Sequence, residues 1–221
     1  KTYSILKHED VMPYVNDHMI IICDGLGGSG SMEHVLDEHH QHHTVEDYQN
    51  FLFMESLQGE PYDDYELRMI EELMDHKPHT SAFYASRIIG LNLKRYFEKR
   101  LTWSDDTLTT SLIQQLHHVA QSLNLLDERR FGQVLLPTTL MAYTFNEAMD
   151  HIMMDVYYAG DSRGYVIEDH ALFQLSQDDE DASGALTNLL YAIEEENHPL
   201  TIHHQTLKID KPAILIGISD G

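Results

Sequence analysis

Three short segments hold the residues best able to do chemistry: Asp24-Gly25-Leu26-Gly27-Gly28, Gly160-Asp161-Ser162-Arg163 and Ser219-Asp220-Gly221. Each sets an aspartate beside glycine, and each follows an apolar run: Met19-Ile20-Ile21-Ile22-Cys23, Asp155-Val156-Tyr157-Tyr158-Ala159 and Ala213-Ile214-Leu215-Ile216-Gly217-Ile218. A buried strand that stops at Asp-Gly presents a carboxylate at the rim of a sheet, on a backbone free to turn sharply. Rims of this kind can pool their carboxylates into a site for a hard divalent cation, because Mg²⁺ and Mn²⁺ take oxygen ligands.

The elements that must position these rims follow from periodicity. Residues 1–24 read as strand, turn, strand, with Pro13 and Asn16-Asp17 as breakers. From about 29 to 126 the pattern is helical. Leu108, Leu112, Leu116, Val119, Leu123 and Leu126 recur at spacings of three and four, with Ser104 or Asp105 as N-cap. Ile89, Leu93, Phe97 and Leu101 mark a second helix starting near Ser81, and Leu67, Ile70 and Met74 a shorter one in the acidic stretch from Asp63 to Asp75. Beyond Pro137 strands dominate, at about 138–145, 152–159, 164–168, 171–175 and 213–218, with Asp169-His170 as a tight turn and one helix near 184–196. Strands, then helices, then strands describe an α+β sandwich.

The motifs, taken in order, resemble the protein phosphatase 2C family, the metal-dependent serine/threonine phosphatases, in their bacterial form. Lys7-His8-Glu9-Asp10 is similar to the family's N-terminal Glu-Asp element, and Asp24-Gly25-Leu26-Gly27-Gly28 to its Asp-Gly-x-Gly-Gly turn. Thr138-Thr139-Leu140 resembles its Thr-Thr strand, and Gly160-Asp161-Ser162-Arg163 its Gly-Asp-Ser-Arg hairpin. Leu172 to Asp179 resembles the stretch that follows, and Ser219-Asp220-Gly221 the later Ser-Asp-Gly. The resemblance implies a four-layer α-β-β-α sandwich with two central antiparallel sheets. It also implies a single catalytic domain over 1–221, with a helical insertion around 36–104. The family continues past Ser-Asp-Gly, through further helix to a final Asp-Asn strand, so the last metal ligand is expected beyond position 221.

The chemistry implied is hydrolysis of phosphoserine and phosphothreonine in proteins. Two Mg²⁺ or Mn²⁺ ions about 3.5–4 Å apart neutralise phosphate oxygens and supply a bridging hydroxide for in-line attack. By the resemblance Asp24 bridges the metals, the Gly25 carbonyl completes one shell, Glu9 acts through water and Asp220 ligates the other ion. Asp161 either binds an accessory metal or is a turn carboxylate paired with Arg163. Asp10 reads as structural, and Thr138 and Thr139 as core-strand residues without a catalytic role. Three departures bear on substrate. Ile5 stands where the family has a phosphate-gripping arginine, and Lys7, on the same side of an extended strand, offers a point charge in its place. Leu26 stands where some members carry a histidine. Gly184 follows Asp178-Asp179 almost at once, where the family inserts a flap. The competing function is a catalytically weak or silent phosphatase-fold binding module; a two-metal phosphohydrolase of small phosphates is a third.

Composition bounds the rest. A net charge of −23, from 37 acidic residues against 14 Lys and Arg, repels nucleic acid and anionic lipid, and the partner the resemblance implies is a phosphoprotein. The lone Cys23 cannot form an internal disulfide, and a cytoplasmic protein is expected. His39, His40, His42 and His43 crowd one segment, with His39 and His43 at chelating spacing, but read as a polar stretch rather than a site. Met141, Met153 and Met154 read as core filling.

Overall fold

A computed structural model describes residues 9–26, 51–52, 60–73, 80–122, 125–128, 134–193 and 199–219. Among the described residues eight strands run in the order β1 (Tyr14–Val15), β2 (Met19–Ile22), β3 (Leu140–Glu147), β4 (His151–Ala159), β5 (Arg163–Glu168), β6 (Ala171–Gln174), β7 (His203–Asp210) and β8 (Ala213–Ile218). Between β2 and β3 lie α1 (Asp64–Leu73), α2 (Ser81–Glu98), α3 (Asp105–Ser122) and the single turn α4 (Leu125–Glu128). The strands form two antiparallel sheets, one ordered β1-β2-β3-β4-β7 and the other β6-β5-β8. The class is therefore α+β, as expected.

Period-two alternation assigns each sheet face. Ile21, Cys23, Leu140 and Ala142 point to the helices and join Leu93, Leu112 and Leu116 in one core. Ile22, Met141, Tyr143, Met154 and Val156 point the other way and meet Val166 of the second sheet. The sheets approach so closely that a Cβ at Gly164 would fall 2.2 Å from Tyr143 Oη, and one at Gly217 2.5 Å from Ile22 Cδ1. Helices, large sheet and small sheet give three of the expected layers. On the outer face of the small sheet Leu172, Ile214 and Ile218 are exposed.

The helices begin where the sequence offers caps. Ser104 Oγ accepts from Thr107 N at 3.2 Å, so Ser104 rather than Asp105 caps α3. This helix ends at Ser122, and Leu126 belongs to the separate turn α4. The two-residue turn Asp169-His170 has φ of 47° and 64°, as a tight hairpin with right-handed strand twist needs.

Three expectations are corrected. Residues 184–193 are not helical: Asp181 Oδ1 accepts from Ser183 N and Ala185 N, Thr187 N donates to Asp179 O, and Leu190 pairs with Thr138. Side-chain acceptors here compete with the helical ladder and win. β7 was not anticipated; its alternation is carried by His, Gln and Thr on a sheet edge, so it lacks an apolar run. Met153 is exposed on β4, between the buried Ile152 and Met154.

Candidate metal centre

β2 leaves the sheet at Ile22, and the backbone after it is held from two sides. On one side Val11 N donates to Cys23 O at 3.1 Å. On the other, Thr139 N and Thr138 Oγ1 both donate to Asp24 O at 2.8 Å, and Gly25 bridges Thr138. The Asp24 side chain is thereby set at the sheet rim with 7% of its surface exposed. Gly25 has no left-handed φ. Its glycine is required by contact instead, since a Cβ there would lie 2.4 Å from Ala82 O and 2.9 Å from Glu9 O.

Ala82 lies in the first turn of α2, and that turn also fixes Glu9. The cap residue Thr80 accepts from Phe83 N through Oγ1 and donates from the same hydroxyl to Glu9 Oε1 at 2.8 Å. Ser86 Oγ donates to Glu9 O at 2.5 Å. Two oxygen-bearing segments, Glu9 and Asp24-Gly25, thus meet at one helix start. A third segment arrives from β8, where Ser219 Oγ lies 3.5 Å from Asp10 Oδ2. Asp220, Lys7 and the four clustered histidines lie outside the described residues.

The turn after β4 is joined to this rim through Thr139. Its hydroxyl lies 2.6 Å from Ser162 Oγ, and Gly160, at φ 90°, would place a Cβ 2.6 Å from Thr139 Cγ2. Asp161 lines a cavity of about 190 Å³ with Arg163, Glu180, Ile218 and Ser219. Arg163 does not pair with Asp161: its guanidinium forks onto both oxygens of Asp178, which holds its charge even more firmly than usual. Asp179 secures the same turn, accepting from Gly160 N at 3.0 Å and from Asn188 Nδ2 at 2.8 Å, with His203 Nε2 at 2.9 Å.

Thr80, Thr139 and Asp179 are the positioning residues that sequence reasoning missed. The Thr138-Thr139 pair and the stretch from Leu172 to Asp179 both gave a signal, but neither Thr139 nor Asp179 was assigned a role, and Thr80 gave no signal. Cys23 is not a competing nucleophile, because burial and then the Asp24 charge push its thiol far above the usual range.

The donors gathered here are carboxylates and a glycine carbonyl, the chemistry a hard divalent cation takes. Gly25 leaves no room for a side chain because the Ala82 and Glu9 main chains pack directly against it, which holds its own main chain beside Glu9. In this sense the residues fit Mg²⁺ or Mn²⁺, although no group of three or more His, Cys, Asp or Glu forms a ligand cluster among the described residues.

No protein-family model matches the sequence, and neither does any curated protein sequence. Solved structures do match. The serine/threonine phosphatase PstP/Ppp of Mycobacterium tuberculosis superposes with a TM-score of 0.54 at 14% identity, over 96% of this chain and 72% of that one. A bacterial serine phosphatase gives a TM-score of 0.50 at 14% identity, over 91% of this chain and 68% of its own. The chain thus has the fold of the bacterial phosphatases of the 2C type.

Proposed function

We propose that the protein is a metal-dependent phosphatase that removes phosphate from serine or threonine in proteins. The observation that carries this reading is the convergence of Glu9 and Asp24-Gly25 at the first turn of α2, with Ser219 at the end of β8 reaching the neighbouring Asp10, in the motif order the resemblance predicts. Two Mg²⁺ or Mn²⁺ ions bound here would neutralise phosphate oxygens and lower the pKa of the attacking water.

The chain's own residues divide the remaining work. Asp24 and Asp220 would hold the ions, with the Gly25 carbonyl as a further donor and Glu9 acting through water. Thr80 fixes the Glu9 carboxylate, and Thr138 and Thr139 fix the Asp24 main chain, so the site is set before substrate arrives. Lys7 is the candidate cation for substrate phosphate, and Asp161, facing the cavity shared with Ser219, for an accessory ion. No nucleophilic side chain is needed, which agrees with a Cys23 held as the thiol.

The test is Mn²⁺-dependent phosphate release from a phosphothreonine peptide, run beside the Asp24→Asn variant. Release by the parent and its loss in the variant is the expected result. A parent that binds Mn²⁺ through Asp24 yet releases no phosphate would instead mark a phosphatase-fold binding module.

A further inference from the structure

A groove lies at the opposite end of the large sheet from Asp24. It is bounded by Met19, where β2 begins, by Thr144 near the end of β3, and by the last turn of α2, whose first turn holds Glu9. Its volume is about 550 Å³, and it continues into a second hollow of about 500 Å³ through the shared residues His18, Phe145 and Asn146.

Two features of the lining point to one kind of occupant. Trp103 and Tyr157 give it aromatic walls. Tyr157 is held in place by His204, stacked on it at 4.3 Å with 7° between planes, and by Phe97 at 5.1 Å. Its charges are also unbalanced: Glu98, Asp155, Asp17 and Glu147 line the two hollows against the single Arg100. Glu98 and Glu147 already face Lys94 and Lys211, but both partners of Asp155, His204 Nε2 and Thr206 Oγ1, use Oδ1. Oδ2 of Asp155 has no partner among the described residues.

We propose that this groove docks a basic peptide segment, with an arginine or lysine side chain against Trp103 and Tyr157 and its charge met by Asp155. An aromatic face attracts a cation, and a nearby carboxylate in a half-enclosed space adds charge complementarity. Walls already fixed by stacking lower the ordering cost of binding. The inference is independent of the phosphatase reading.

Trp103 is the only tryptophan in the chain, so its fluorescence reports on the groove directly. The probe is a tetra-arginine peptide. Saturable change in Trp103 emission is expected, weakened about tenfold by Asn146→Arg, which sets a competing cation at an exposed lining position. Thr102→Arg, also exposed and lining the groove, serves as a second blocking variant. The control is Asp169→Asn, in the β5–β6 turn, which changes net charge by the same single unit and is expected to leave affinity unchanged. No saturable signal, or equal weakening by the blocking and control variants, overturns the proposal, because the peptide would then only adsorb to a chain of charge −23.

Discussion

Asp24 and Gly25 show what one position owes to neighbours distant in sequence. The Asp-Gly pair stands out in the sequence because it ends an apolar run, and that reading placed the carboxylate correctly at a sheet rim. The reason for the glycine was not legible: φ at Gly25 is unexceptional, and the constraint comes from Ala82 and Glu9. Gly25→Ala is therefore expected to destabilise by about 3 kcal/mol, since a backbone carbonyl cannot swing aside as a side chain tip can. Urea unfolding of the variant measures this, and a loss under about 0.5 kcal/mol would contradict the crowding. Thr80 was equally hidden, because its partner Glu9 lies 71 positions away. Thr80→Val removes both the cap and the tie to Glu9, at a cost of about 1 kcal/mol in stability. It should also cost about tenfold in Mn²⁺ affinity, while Thr80→Ser keeps both functions. Calorimetric titration with Mn²⁺ separates the two variants; equal affinities would show that Glu9 needs no such support.

At the scale of elements, legibility followed the strength of the periodic signal. The leucine spacing located α3, and apolar runs located β2, β4 and β8. The segment after Asp181 failed because Leu186, Leu189 and Leu190 have helical spacing, while Asp181 Oδ1 accepts from Ser183 N, Thr187 Oγ1 donates to Asp179 O and Asn188 Nδ2 donates to Thr201 O, which leaves no helical ladder. At the start of α1 local chemistry decides again. Asp63 Oδ1 accepts from Glu66 N at 2.9 Å, and Glu66 Oε2 accepts from Asp63 N at 3.0 Å, a reciprocal box closing the first turn. The same Asp63 receives the buried Lys94 ammonium at 2.6 Å. Burial works against the Asp63 charge, but the Lys94 hydrogen bond and those from Glu66 and Tyr65 outweigh it, so its pKa is lowered. A carboxylate lowered on folding stabilises fully above its unfolded pKa, about 3.9, and that stability is lost as pH falls through the lower folded value. Asp63→Asn keeps a capping oxygen and removes the titration. Its urea midpoint should fall less steeply than the parent's as pH drops below about 4. Identical acid profiles would exclude Asp63 from the acid response.

For the whole molecule the dominant quantity is charge. At −23 the folded chain repels itself, and compaction brings 37 carboxylates closer together than in the unfolded state. Screening should therefore stabilise: at about 0.1 M salt the Debye length is about 10 Å, short enough to mute repulsion across the surface. On the proposed function a divalent cation would act in two ways, by screening and by binding at the Asp24 rim, and only the second would depend on Asp24. The expected outcome is a melting temperature that rises with NaCl and rises further with MnCl₂ at matched ionic strength. The excess should follow RT ln(1 + [L]/Kd), so millimolar Mn²⁺ at 100 times Kd contributes about 2.7 kcal/mol. Asp24→Asn should keep the NaCl response and lose the excess. If the excess persists in the variant, the Mn²⁺ sits elsewhere among the surface carboxylates. If neither protein shows an excess, the carboxylates at the Asp24 rim do not form a metal site, and the phosphatase reading loses its chemistry while the fold stands unchanged.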